Sequence, residues 1–175
     1  HMHPVEIKAR DGLTLVSYLT LPLWTDPDND GRPDAPVPMV LDVHGGSWGR
    51  DAWGLNPIHQ LWANRGYAVL SVNFRASTGF GKKFLNAGNK QWGDKMQDDI
   101  TWGVKHLVKQ GVADPRRVGI MGGSYGGYAT AWGATYYSER FAAGVMFVGI
   151  SELTAKAGTT DIPVEQYEHP AISEE

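Results

Sequence analysis

The sequence predicts an α/β protein: a mostly parallel sheet with helices on both faces and an antiparallel hairpin at its start. Two patterns carry that expectation. Between Met39 and Ile150, short apolar runs alternate with segments of helical period, the arrangement that builds parallel sheets buried on both sides. Ahead of them, Val5 to Pro22 alternates apolar and polar residues on either side of Asp11-Gly12, a strong turn dipeptide between strands.

The elements follow in order. After the hairpin, Thr25 to Pro38 is polar and holds four prolines, which makes it a surface loop. Met39 to Val43 is a short apolar strand that ends in His44-Gly45-Gly46. Asn56 to Arg65 reads as a helix and Tyr67 to Phe74 as a second buried strand, while Ser77 to Gly93 is glycine-rich and irregular. Met96, Ile100, Val104, Leu107 and Val108 then recur every three to four residues, which places them on one face of a helix. Gly111 stops that helix and Asp114-Pro115 forms a turn. Val118 to Met121 is a strand, a small-residue helix runs from about Tyr125 to Ser138, and Ala143 to Ile150 is the last strand.

Composition narrows the function. At 175 residues the chain fits one domain of the usual ~100–200. The expected organisation is a single, partial domain over 1–175, with His1-Met2 vector-derived and 151–175 an irregular tail. Sixteen Lys and Arg against 19 Asp and Glu give no basic surplus for nucleic acid or an anionic membrane. The longest apolar run, Ala142 to Ile150, falls well short of the ~20 residues a membrane helix needs. With no cysteine, a thiol nucleophile, a disulfide and a thiolate metal site are all excluded. No cofactor is expected. The sequence shows no signal peptide, which favours the cytoplasm.

Gly122-Gly123-Ser124-Tyr125-Gly126 carries the chemistry. A G-x-S-x-G sequence between a strand and a helix forms a sharp turn that lifts the serine hydroxyl above the strand ends. The helix start behind it offers N–H groups and partial positive charge to a developing oxyanion. The plainer reading is a glycine-rich turn with an incidental serine. His44-Gly45-Gly46 at the end of an earlier strand favours the nucleophile, because such a turn supplies the second oxyanion donor. The expected donors are the backbone N–H groups of Gly46 and Tyr125. His44 shapes the turn and is not the base, since in this architecture the base follows the nucleophile in sequence.

With these motifs in view, the sequence resembles the catalytic domain of the prolyl oligopeptidase-type (S9) serine peptidases, an α/β-hydrolase fold, and its acylaminoacyl-peptidase and dipeptidyl-peptidase branches above all. The resemblance rests on residues 39–46, 64–75 and 122–128, with shorter matches at 77–81, 92–93, 97–99, 114–118, 141–145 and 148–151. Ala76 stands where the family usually has glycine. The resemblance implies Ser124 as nucleophile and Gly46 with Tyr125 as oxyanion hole. It also implies a preceding β-propeller and two further strands, after which come the triad acid and then the base, so a chain of this length is expected to lack both by family position.

His169 is the histidine that follows Ser124, and Asp161 precedes it. That order suits an acid and a base on this fold, but the spacing is compressed, and a tail histidine is the plainer reading. Asp26-x-Asp28-x-Asp30-Gly31, with Asp34, resembles the front of a calcium loop. Val37 stands where the bidentate Glu belongs, and an acidic surface loop is the plainer account. Among the tryptophans, Trp48 beside the oxyanion turn is the candidate wall of a substrate pocket.

The expected function is a serine hydrolase that cleaves small esters or short acyl-peptide substrates through an acyl-enzyme on Ser124. The alternative is a truncated peptidase fragment that folds or oligomerises without a complete triad. The expected assembly is a homodimer through the apolar strand Ala143 to Ile150, because such a strand at a sheet edge recruits another chain.

Overall fold

The computed structural model describes residues 1–46 and 48–153. The hairpin forms as expected. Strands β1 (Met2–Lys8) and β2 (Thr14–Thr20) pair antiparallel from Met2↔Thr20 to Lys8↔Thr14. Gly12 closes the turn at φ +85°, a conformation that favours glycine, and its N–H donates to the Ala9 carbonyl at 2.9 Å.

The remaining elements are β3 (Val37–Val43), α1 (Pro57–Ala63), β4 (Ala68–Val72), α2 (Lys82–Asn86), α3 (Lys95–Lys109), β5 (Ala113–Gly123), α4 (Tyr125–Tyr136) and β6 (Ala143–Phe147). Among the described residues they make one six-stranded sheet in the order β1-β2-β4-β3-β5-β6. The β1–β2 and β2–β4 pairs are antiparallel, and β4–β3, β3–β5 and β5–β6 are parallel. The chain leaves β3 for β4 on one side and returns to place β5 on the other. The order therefore reverses next to β3, and the crevice beyond the carboxyl ends of β3 and β5 is where such sheets place their sites. Both glycine turns, 44–46 and 122–126, lie at those two ends.

Local chemistry sets the helices. Asn56 caps α1, its Oδ1 accepting from the N–H groups of Ile58 at 2.9 Å and His59 at 3.2 Å, and Pro57 takes the first turn. In α3, Met96, Ile100, Val104 and Leu107 are buried as their spacing predicts. Gly103 lets α3 approach β4, since a Cβ there would sit 2.8 Å from Val72 Cγ2.

Three expectations need correction. Ser77 to Gly93 is not wholly irregular: it contains α2, a five-residue helix that buries Phe84, and one apolar residue gives no period to read. Asp114-Pro115 is not a break between elements. Strand β5 already begins at Ala113, and its register against β3 slips from Val37↔Ala113 to Met39↔Val118, so Asp114 to Arg117 bulge from the ladder. Asp114 Oδ1 accepts from the Arg116 N–H at 3.0 Å inside that bulge. The last strand stops at Phe147 rather than Ile150, because Val148 takes φ +42°. All five residues of β6 are exposed, and among the described residues β6 is the last strand of the sheet.

Arg75, just beyond β4, ties the layers together. Its Nε and Nη2 donate to Asp99 of α3 at 2.8 and 2.7 Å, and its Nη1 and Nη2 reach Asp11 of the hairpin turn at 2.9 and 3.0 Å. Burial raises the Asp99 pKa, partly offset by the hydrogen bonds from Arg75. Removing one member of a buried pair leaves the other charge unpaired at a cost of ~3–5 kcal/mol. Asp99→Ala is therefore expected to lower unfolding free energy in urea by about that amount, and a loss below ~1 kcal/mol, the scale of a surface pair, would contradict this account.

Candidate active site

Ser124 sits between the last residue of β5 and the first of α4, exposed, with φ +54° and ψ −118°. A non-glycine residue in this region is strained, and the strain persists only where its surroundings over-determine it. Those surroundings are backbone. The Ser124 N–H donates to the Phe147 carbonyl of β6 at 3.2 Å, and the Ser124 carbonyl accepts from the Tyr128 N–H at 3.1 Å. A Cβ on Gly122 would lie 2.6 Å from the Gly126 carbonyl group, and one on Gly126 would run into the Val43 carbonyl oxygen. The first turn of α4 thus rests directly on the end of β3. Tyr125 opens that helix, so no helical carbonyl can reach its N–H. Its side chain is fully buried against Phe74, Trp92 and Tyr128, with ring centroids 5.1, 4.5 and 5.9 Å away.

The second turn abuts the first. A Cβ on Gly45 would stand 3.1 Å from the Gly123 carbonyl oxygen and 3.4 Å from Ser124 Cβ. Gly46 takes φ +53°, and its carbonyl accepts from the Gly49 N–H at 3.2 Å. His44 stacks on Phe74 at 4.4 Å, its Nδ1 lies 3.0 Å from the Gly45 carbonyl and its Nε2 2.9 Å from Ser77 Oγ. The carbonyl can only accept, which assigns the proton to Nδ1 and leaves Nε2 to accept from Ser77. Burial lowers the His44 pKa, so the ring is neutral at pH 7. Trp48 is 39% exposed on the same turn, and Ser47 lies outside the described residues.

The arrangement can do one chemical task. A hydroxyl raised above the strand ends can attack a carbonyl, and the N–H that opens α4 is a donor for charge that develops on the carbonyl oxygen.

The structure brings Ser124, Tyr125 and the Gly45-Gly46 turn together. His169 and Asp161 lie outside the described residues. His59, on α1, is buried between Thr20 Oγ1 and Ser71 Oγ, each 2.8 Å from a ring nitrogen, and burial pushes its pKa down to about 4. Asp26, Asp28 and Asp30 each bring a carboxylate oxygen within 4.8 Å of the others, and Asp34 is not in that group. Both Asp26 oxygens already accept backbone N–H groups, from Asp30 at 3.0 Å and Gly31 at 3.1 Å, and His3 Nε2 lies 3.3 Å away.

A partly buried carboxyl pair, Asp42 and Asp51, escaped the sequence reading. The Asp51 N–H donates to Asn73 Oδ1 at 2.8 Å and Asn73 Nδ2 donates to the Asp51 carbonyl at 3.1 Å. Asp51 Oδ2 is buried with no hydrogen-bond partner among the described residues. Burial and the charge of Asp42 push the Asp51 pKa up to about 7, and burial alone pushes Asp42 to about 6. An aspartate inside the apolar run Met39 to Val43 was the available signal for Asp42. Asp51 carried none.

A serine on a tight strand-to-helix elbow, backed by a glycine turn from the neighbouring parallel strand, defines the α/β-hydrolase class. The comparisons are specific. The chain belongs to the prolyl oligopeptidase family, whose model matches residues 53–175. It is 60% identical over 156 residues to the dipeptidyl aminopeptidase BIII of Pseudoxanthomonas mexicana, covering 89% of this chain and 23% of that protein. It is 44% identical over 162 residues to dipeptidyl peptidase family member 6 of Caenorhabditis elegans, covering 85% of this chain and 22% of that protein. Among solved structures, the puromycin-hydrolyzing peptidase of Mycobacterium tuberculosis superposes with TM-score 0.88 at 30% identity, over all of this chain and 26% of that one. An acylaminoacyl peptidase of Pyrococcus horikoshii gives 0.84 at 28% identity, over 99% and 27%. The chain thus spans about a quarter of the length of the relatives it matches.

The carboxyl pair makes stability depend on pH with a definite sign. The folded-state pKa of Asp51, about 7, lies above its ordinary 3.8. The folded chain therefore holds a proton that the unfolded chain has lost, and stability falls as pH rises from about 4 to about 7. Asp51→Asn removes this titration. Its unfolding free energy in urea is expected to rise relative to the parent between pH 5 and pH 8, by about 1–3 kcal/mol, the range for a buried group left unpaired. A difference that stays flat across that interval would contradict the assignment.

Proposed function

We propose that this chain carries the nucleophile and oxyanion hole of a serine hydrolase that acts on small esters or short acyl-peptide substrates. Ser124 attacks the substrate carbonyl and gives up its hydroxyl proton to solvent, the Gly46 and Tyr125 amides receive the oxyanion, the alcohol or amine leaves as the tetrahedral centre collapses, and water then hydrolyses the ester on Ser124. One observation carries the reading: an exposed serine held at φ +54° between β5 and α4 by glycines that admit no side chain. The names of the relatives, among them dipeptidyl aminopeptidase and acylamino-acid-releasing enzyme, support an acyl-peptide substrate. Esters ask less of the site than amides, because an alkoxide or phenolate departs without the proton an amine must receive. Ester cleavage is therefore the more robust activity and the one to assay first.

His44 takes no part in proton transfer in this reading, because both of its nitrogens are engaged. His169 is expected to contribute little. Ser124→Ala is expected to abolish p-nitrophenyl ester hydrolysis and labelling by an alkyl fluorophosphonate, with the circular dichroism spectrum unchanged. Undiminished turnover in that variant would remove Ser124 from the mechanism. His169→Ala is expected to retain the parent rate within about tenfold. A general base contributes ~10²–10⁴, so a drop above about 100-fold would assign His169 that role.

A further inference from the structure

The 44–51 loop carries a cation that the chemistry above leaves unused. Arg50 is exposed, and no ion pair to it is found among the described residues. Its guanidinium lies over the Phe80 ring, 4.9 Å from the centroid. A Cβ at Gly79, which itself takes φ +88°, would collide with Arg50 Nη1, so the neighbouring loop leaves the space the guanidinium fills. Nε makes a long contact with the Asp51 carbonyl at 3.4 Å. Neither Nη group has such a partner among the described residues. A cation–ring contact of this kind draws on the charge of the guanidinium and does not use up its N–H donors, whose fork matches a carboxylate.

The residue is also held close to Ser124 through a short series of contacts. Gly45 abuts Ser124, and a Cβ on Gly49 would lie 2.5 Å from the Gly45 carbonyl oxygen and 3.0 Å from His44 Nδ1. The Thr78 N–H donates to the Gly49 carbonyl at 2.9 Å, locking the segment that carries Arg50 to the segment that carries Phe80. Asp51, the next residue, is pinned to Asn73. Arg50 is therefore carried on the loop that abuts Ser124, with its guanidinium seated on Phe80. The acidic group next to it in sequence is Asp51, whose carboxyl, with a pKa pushed up to about 7, is about half protonated at neutral pH.

We propose that Arg50 is a substrate-binding residue that receives a carboxylate on the substrate, so that the site prefers acyl compounds carrying an anionic group near the scissile carbonyl. The inference rests on Ser124 as the nucleophile and adds the substrate class. It is tested with two alkyl fluorophosphonates of equal chain length, one ending in a methyl group and one in a carboxylate. Intact mass gives the rate at which each labels Ser124.

The parent chain is expected to react about tenfold faster with the carboxylate probe, and less so in 0.5 M salt, where the Debye length shrinks to a few ångströms. Arg50→Gln is expected to erase the preference while changing the rate of the neutral probe less than about twofold. Arg50→Lys keeps a point charge without the planar fork and is expected to restore only part of it. Phe80→Leu removes the ring and is expected to cut the preference about two- to fivefold, the scale of an exposed cation–π contact. Equal rates of the two probes on the parent, or a preference that survives in Arg50→Gln, would overturn the inference. Labelling by neither probe would overturn the nucleophile reading and this one with it, an outcome distinct from loss of preference alone.

Discussion

The structure depends on one steric constraint: the start of α4 lies against the end of β3 with no side chain between them. Gly126 faces the Val43 carbonyl, Gly122 faces Gly126, and Gly45 faces Gly123. Backbone touches backbone at each of these points. A methyl group at Gly126 would move the helix off the strand, and with it the turn that bears Ser124. The strain at Ser124, of order 1–3 kcal/mol for a residue in such a region, is held in place by this contact and by the fully buried Tyr125 beside it. The position of Ser124 and the packing of α4 on β3 are thus the same feature seen from two sides.

A second set of polar contacts fixes the loop that meets the elbow. His44 bonds to Ser77, Thr78 to Gly49 and Asp51 to Asn73. These join the segment after β3 to the segment after β4, two adjacent parallel strands. Arg75, between Asn73 and Ser77 in sequence, reaches back to Asp99 of α3 and Asp11 of the hairpin turn. The site loops are therefore anchored to the sheet, to α3 and to the hairpin. Groups in this shell are neutral or paired near pH 7: His44 by burial and its hydrogen bonds, Arg75 by two carboxylates. The carboxyl pair Asp42 and Asp51 is the exception, titrating near neutrality.

Much of this was legible in the sequence because it depends on local pattern. The hairpin announced itself through Asp11-Gly12 and alternation, α3 through the period of Met96, Ile100, Val104 and Leu107, and the elbow through glycines whose absence of side chain is itself the signal. What stayed hidden depends on partners distant in sequence. Helix α2 has one buried apolar residue and so no period. The bulge at Asp114 to Arg117 is a matter of register against β3, which neither strand states alone. Asp51 and Asn73 are 22 residues apart, and Arg75 and Asp11 are 64 apart. Nothing in either local sequence marks such pairs. Arg50 was passed over for the same reason, since its berth on Phe80 and Gly79 comes from a different loop.

The central claim is that the two turns form one oxyanion site around Ser124. A crystal structure of the chain after reaction with an alkyl fluorophosphonate tests it most directly, because the phosphoryl oxygen of the adduct stands where the oxyanion would. The account requires that oxygen to lie ~2.7–3.1 Å from the backbone nitrogens of both Gly46 and Tyr125. An adduct on Ser124 with its phosphoryl oxygen turned to solvent, beyond hydrogen-bond reach of both amides, would contradict it.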